Sequence, residues 1–129
     1  MTDKELVALA IKAKEKAWAP YSNFHVGAAI LCENEEVFTG CNVENSSYGA
    51  TVCAERTAVV KAVSEGRRDF AAIAVVSDED EYCMPCGICR QFLADFAPKL
   101  KFLLAKPTGE YVERTMEDLL PGAFRLEKK

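Results

Sequence analysis

An α/β fold, with helices on both faces of one sheet, is what this chain predicts, and three observations lead there. Strand and helix patterns alternate after an opening pair of β-prone runs. The run Phe70 to Val76 is continuously apolar, too hydrophobic to face water on either side, so a strand there needs cover on both faces. Apolar residues recur at helical spacing in the first segment, at Leu6, Ala10, Ala13 and Ala17, and in a later one, at Ala58, Val59, Ala62 and Val63. At 129 residues the chain reads as one domain, 1–129, long enough to bury a core, and no repeat, linker or low-complexity stretch divides it.

Each element has a local reason. Thr2 and Glu5 form the Thr-x-x-Glu pattern of a capping box, so the first helix starts at Asp3. Its stripe is Leu6, Ala10, Ala13 and Ala17, widened by Val7 and Ile11, and Pro20 stops it. Val26 to Cys32 and Val37 to Val43 are β-prone runs around the polar Glu33 to Glu36, a hairpin whose turn lacks a glycine and is open in type. Asn42, Glu44 and Asn45 enter a polar loop running to Gly49, at a place where a strand gives way to a loop and side chains can meet a ligand. Val52 to Glu65 reads as a buried helix with Cys53 in its first turn and Gly66 as C-cap. After the apolar strand, the acidic loop Asp78 to Glu81 leads to Cys86, and a helix spans Gly87 to Phe96 before Pro98. Leu100 to Ala105 and Tyr111 to Arg114 are the last strands, and Thr115 with Asp118 can cap a short helix ending at Pro121-Gly122.

Composition excludes some classes of function. The net charge is −4, and the only basic pairs are Arg67-Arg68 and Lys128-Lys129, so no basic face is available to neutralise a polyanion. No apolar stretch approaches the length of a membrane span, and no hydrophobic signal segment precedes the first helix, so the expectation is a cytoplasmic protein. Six cysteines in that setting are thiols or metal ligands rather than a disulfide framework.

The chemistry concentrates in Cys53-Ala-Glu-Arg56 and Pro85-Cys-Gly-Ile-Cys89. Cys53, Cys86 and Cys89 can supply three thiolates to one tetrahedral zinc, leaving the fourth position for water as in a catalytic site. Glu55, two residues from Cys53, is then a proton shuttle beside that water. Three thiolates on a divalent zinc carry an excess negative charge, which two helix N-termini and Arg56 would offset. The competing reading uses Cys83 as a fourth thiolate, which closes the site and makes the metal structural. Cys32 and Cys41 read as core residues, and His25 as an orienting or surface group.

With these residues in view, the chain resembles the small zinc-dependent cytidine deaminases of pyrimidine salvage, a family whose paired metal motifs are well described. The likeness extends through Ala19-Pro-Tyr-Ser22, Phe24-His-Val-Gly-Ala28, Gly40-Cys-Asn-Val-Glu-Asn45, Cys53-Ala-Glu-Arg-Thr57, Lys61-Ala-Val-Ser-Glu-Gly66, Pro85-Cys-Gly-Ile-Cys-Arg-Gln91 and Leu119-Leu-Pro121. It implies a three-layer α/β/α sandwich with a mixed sheet of about five strands. It implies one zinc on Cys53, Cys86 and Cys89, with Glu55 moving protons as cytidine or deoxycytidine loses ammonia to give uridine or deoxyuridine. Asn42 and Glu44 take the place of the pair that holds the ribose hydroxyls, Phe24 that of a wall of the base pocket, and the Ala54 N–H that of a donor to the base carbonyl. Tyr48 and Phe124 match positions at a shared subunit edge, so the resemblance also implies a homotetramer with composite sites. By themselves Phe24 and Phe124 would serve as core aromatics, and Glu44 as a solvated loop charge. Met84 and Cys83 depart from the family, which usually has a small residue before Pro85; the departure bears on pocket shape near the metal. Two other enzyme classes share the chemistry. A deaminase of bases in nucleic acid needs a basic groove, and a deaminase of a cytosine-containing antibiotic lacks the Asn-x-Glu-Asn loop present here.

Overall fold

The computed structural model describes residues 1–129. Five strands form one mixed sheet in the order β2-β1-β3-β4-β5: β1 (Val26–Cys32), β2 (Val37–Cys41), β3 (Phe70–Ser77), β4 (Lys101–Ala105) and β5 (Tyr111–Thr115). Only β3 and β4 run parallel; the other three pairs are antiparallel. The strongly apolar β3 lies at the centre, as its composition requires, and β2 and β5 are the edges.

The period of two along each strand sorts the core into two layers. Ala29, Ala72, Ala74, Val76, Leu103 and Ala105 face α1 (Asp3–Lys14), which buries Leu6, Val7 and Ala10 on them. The alternate residues Ala28, Ile30, Ile73, Val75, Phe102 and Leu104 face α2 (Ala54–Ser64), α3 (Gly87–Phe96) and the short α4 (Met116–Leu119). The result is a three-layer α/β/α sandwich. Small residues on the α1 face permit a close approach: a Cβ on Gly27 would lie 2.1 Å from the Ala10 carbonyl oxygen and 2.5 Å from the Lys14 nitrogen. Gly40 does the same on the other face, where a Cβ would lie 2.5 Å from the Ala54 oxygen and from the Ala58 nitrogen.

The capping box of Thr2 and Glu5 is formed, and a second one, Thr115 with Asp118, starts α4. Three boundaries differ from the sequence pattern. The first helix ends at Lys14 rather than running to Pro20, because Trp18 leaves it for an extended bridge: its N–H donates to Asn42 and its carbonyl accepts from Glu44, both at 2.9 Å. Strand β2 stops at Cys41, and Val43 instead bridges Trp18 and Val52. Val52 is therefore extended, and α2 begins at Ala54 with Cys53 as its N-cap rather than in its first turn. In the hairpin turn without a glycine, Glu35 takes the left-handed conformation, at φ 73°. No helix is long and apolar enough to cross a membrane.

Candidate metal centre and active site

Strands β2 and β3 both run antiparallel to the β1 between them, so their C-terminal ends lie at the same end of the sheet. The chain leaves β2 towards α2 and β3 towards α3, and both helices start at that end. Their N-caps are Cys53 and Cys86. Cys89 follows in the first turn of α3, and its N–H donates to Cys86 Sγ at 3.5 Å. The Sγ atoms of Cys53, Cys86 and Cys89 lie within 4.8 Å of one another, with Cys53 and Cys86 3.8 Å apart. Tetrahedral zinc with bonds of about 2.3 Å sets its sulfur ligands about 3.8 Å apart, so the spacing suits that ion. Cys83 is not a member of the cluster.

Electrostatics favour a cation here. The Cys53 thiol is brought down to about 5, first by a hydrogen bond from the Cys89 thiol, with Arg56 and Cys86 adding to it against the opposing effect of burial. The same bond and burial push the Cys89 thiol up, so Cys89 keeps a proton beside the Cys53 thiolate that a divalent ion would displace. Arg56 Nη2 donates to the Thr51 carbonyl at 3.1 Å and lies 3.8 Å from Cys53 Sγ. Arg56 Nε is buried without a hydrogen-bond partner, a guanidinium held at the cluster despite that cost.

Glu55, in the first turn of α2, is only 3% exposed. Burial is the main force raising its carboxyl to about 7, and charge on Cys53 adds to it; its own backbone N–H, Cys89 and Arg56 pull the other way. It lines a cavity of about 250 Å³ together with Cys53, Cys86, Ala54, Phe24, Val26, Asn42, Thr51, Cys83 and Met84. A carboxyl that titrates near neutrality, beside a metal-binding cluster in an apolar cavity, is equipped to take up and return a proton.

The model of the "Cytidine and deoxycytidylate deaminase zinc-binding region" matches residues 1–104. This chain belongs to that family. The deaminase family's zinc and the cluster of Cys53, Cys86 and Cys89 fit one ion per chain. The chain is 51% identical over 128 residues to a cytidine deaminase of Halalkalibacterium halodurans, covering 98% of this chain and 97% of that one. The crystal structure of a cytidine deaminase from Burkholderia pseudomallei superposes with a TM-score of 0.93 at 48% identity, over 96% of this chain and 100% of that one. A blasticidin-S deaminase of Bacillus cereus is 38% identical, over 92% of this chain and 89% of that protein.

The other residues picked out in the sequence are distributed around this deaminase cavity as follows. Phe24, Asn42 and Ala54 line it with Glu55. Asn42 is 8% exposed and already employed: its Oδ1 accepts from the Val26 N–H at 2.9 Å, and its Nδ2 donates to the Phe24 carbonyl at 2.8 Å. One N–H and one lone pair remain for a ligand. Glu44 and Tyr48 line an adjoining cleft with Tyr21, Ser22 and Asn45, and Thr51 is common to both spaces. Glu44 accepts from the N–H groups of Tyr21 and Ser22 and from the Ser22 hydroxyl, which together hold its carboxyl below the usual range, the hydroxyl foremost. Tyr48 is 80% exposed. Phe124 is not brought to the cavity of its own chain; it is 68% exposed over a groove formed with Ile88, Phe92 and Phe96 of α3. Sequence reasoning did not single out Thr51 or Val26 for the site. Only the Cys41–Val52 path, set by the bridge from Val43 to Val52, brings Thr51 there. Cys32 is buried in β1, and Cys41 is half-buried in β2.

Proposed function

We propose that this chain is a zinc-dependent cytidine deaminase of pyrimidine salvage, hydrolysing cytidine and deoxycytidine to uridine and deoxyuridine with release of ammonia. The observation that carries the reading is the position of Glu55, almost wholly buried, in one small cavity with two of the three clustered cysteines, Phe24 and Asn42. Cys53, Cys86 and Cys89 would hold the zinc, which when bound supplies a Lewis acid that lowers the pKa of a water. Arg56 and the N-termini of α2 and α3 offset the excess negative charge of three thiolates.

Glu55 does the proton work. It accepts a proton from the attacking water as a C–O bond forms at C4 of the base, and delivers it to N3. It then takes the remaining proton from the new C4 hydroxyl and passes it to the exocyclic amine; the C4–N bond breaks, the C4 carbonyl forms, and ammonia leaves with the bonding pair. Its carboxyl, raised to about 7, suits both directions of transfer. Phe24 walls the base, and the Ala54 N–H, at the first position of α2, donates to the base carbonyl. Asn42 and Glu44 bind the ribose hydroxyls, using the capacity that their contacts with the 21–26 segment leave free.

We further infer a homotetramer in which Tyr48 and Phe124 complete a neighbour's site. The strong exposure of both and the apolar groove beside Phe124, with Ile88 and Leu126 also exposed, support that reading. The test is conversion of cytidine by zinc-loaded protein, followed by absorbance, with Glu55→Gln in parallel. The variant keeps its zinc and loses a factor of about 10² to 10⁴ in kcat. Full activity in that variant overturns the role of Glu55. An inactive wild type with one zinc per chain, but turnover of blasticidin S, moves the substrate to that of the Bacillus cereus relative.

A further inference from the structure

We propose that Asp78 is a positioning residue for the base pocket, acting through His25 on the segment that carries Phe24. The inference rests on the cytidine deaminase reading for its kinetic consequences, though not for its structural ones.

The pairing of β1 with β3 brings the two residues together. Val26 is opposite Ser77 in that antiparallel ladder, so His25 and Asp78 are the next pair beyond its end. There the Asp78 carboxylate replaces the ladder's backbone bonds. Its Oδ2 accepts from the His25 N–H at 2.8 Å and lies 2.7 Å from His25 Nδ1. Its Oδ1 is 3.2 Å from Lys14 Nζ, and that ammonium also donates to the Ser77 carbonyl at 3.3 Å. Lys14 reaches this place because Gly27 lets the end of α1 lie directly on β1. Helix, sheet end and loop thus meet on one carboxylate.

The held segment matters because of what else is attached to it. Phe24 and Val26 flank His25, both line the cavity with Glu55, and both are bound by Asn42. On the far side of Phe24, Glu44 accepts from Tyr21 and Ser22. The segment from Tyr21 to Val26 is therefore strung between two carboxylates, Glu44 and Asp78, with the pocket wall between them. Asn23 has a left-handed φ of 57°, which costs energy for a non-glycine residue and leaves the segment dependent on its anchors. Releasing the Asp78 anchor frees Phe24 to move without disturbing Glu55 or the cysteines.

The experiment compares Asp78→Ala, His25→Ala and His25→Asn with wild-type, zinc-loaded protein, using cytidine kinetics and amide hydrogen exchange over residues 20–26. Asp78→Ala is expected to raise KM about tenfold with kcat within about twofold, the pattern of binding lost equally from ground and transition states. Exchange over 20–26 should quicken by about tenfold or more, because local opening becomes easier. His25→Ala should move both readouts in the same direction by less, since the backbone N–H still reaches Asp78. His25→Asn should restore them, because Asn Nδ2 is as far from the backbone as His Nδ1. Asp80→Ala, an exposed carboxylate of the same loop, should match the wild type. Unchanged KM and exchange in Asp78→Ala overturn the proposal, as does an equal effect of Asp80→Ala. A fall in kcat with no change in KM also overturns it, since that marks general damage. Should Asp78→Ala fail to fold, the His25 pair decides. A wild type without cytidine activity refutes the functional reading alone, and the exchange comparison still decides the role of Asp78.

Discussion

Gly40→Ala tests whether the approach of α2 to β2 sets the metal site. A Cβ there would stand 2.5 Å from the Ala54 oxygen, 2.5 Å from the Ala58 nitrogen and 3.0 Å from Thr57 Cβ. Two of these are backbone atoms, so no rotamer relieves the contact, and ordinary separation requires the first turn of α2 to retreat by about 0.9 Å. Overpacking of this kind costs about 1–3 kcal/mol. At about 4 °C per kcal/mol for a chain of this size, the melting temperature should fall by about 4–12 °C. The rate should suffer as well, because Ala54 lies between Cys53 and Glu55 and moves both relative to Cys86 and Cys89 on α3. A misplacement of about 1 Å among reacting groups is worth about 10² in rate. The assays are a thermal melt, zinc content and kcat/KM for cytidine. Gly49→Ala is the control, since a Cβ there meets nothing within 4 Å and the backbone is outside the left-handed region; its melting temperature should be unchanged or higher. A Gly40→Ala protein with wild-type stability and kcat/KM refutes the claim that this contact sets the site.

Three further outcomes follow from the same geometry. Cys83→Ser should retain one zinc per chain by metal analysis, whereas Cys86→Ser should lose it; loss of zinc in Cys83→Ser would restore the four-thiolate reading. Arg56→Ala should weaken zinc retention by about 10- to 100-fold in competition with a chelator, because a cation beside Cys53 and a bond to Thr51 are both lost. Asn42→Ala leaves the Val26 N–H and the Phe24 carbonyl unpaired, so it should lower stability by about 1–3 kcal/mol in denaturant titration and raise KM; stability equal to wild type would contradict the clamp.

Much of this protein is legible in its sequence, for a local reason. The capping box at Thr2, the strand Val26–Cys32 and the helix Gly87–Phe96 are visible because caps, short apolar runs and helical periodicity act over a few residues. The cysteine spacing is legible for the same cause: Cys86 and Cys89 share a helix start, and thiolates of that type and number suit zinc. What needed the tertiary structure depends on residues far apart in the chain. The first helix ends at Lys14 because Trp18 pairs with Val43, a bridge no helical pattern contains. Cys53 caps α2 because Val52 is drawn into that same extended path. Packing excludes Cys83 from the cluster, although its spacing from Cys86 would admit it. Asn42 holds the Phe24 segment, and Asp78 meets His25, because strand pairing puts these residues side by side. The raised pKa of Glu55 belongs with these. Its sequence neighbours place the carboxylate near Cys53, but removal from water, which comes only from the closed layers around it, is the larger cause of the shift.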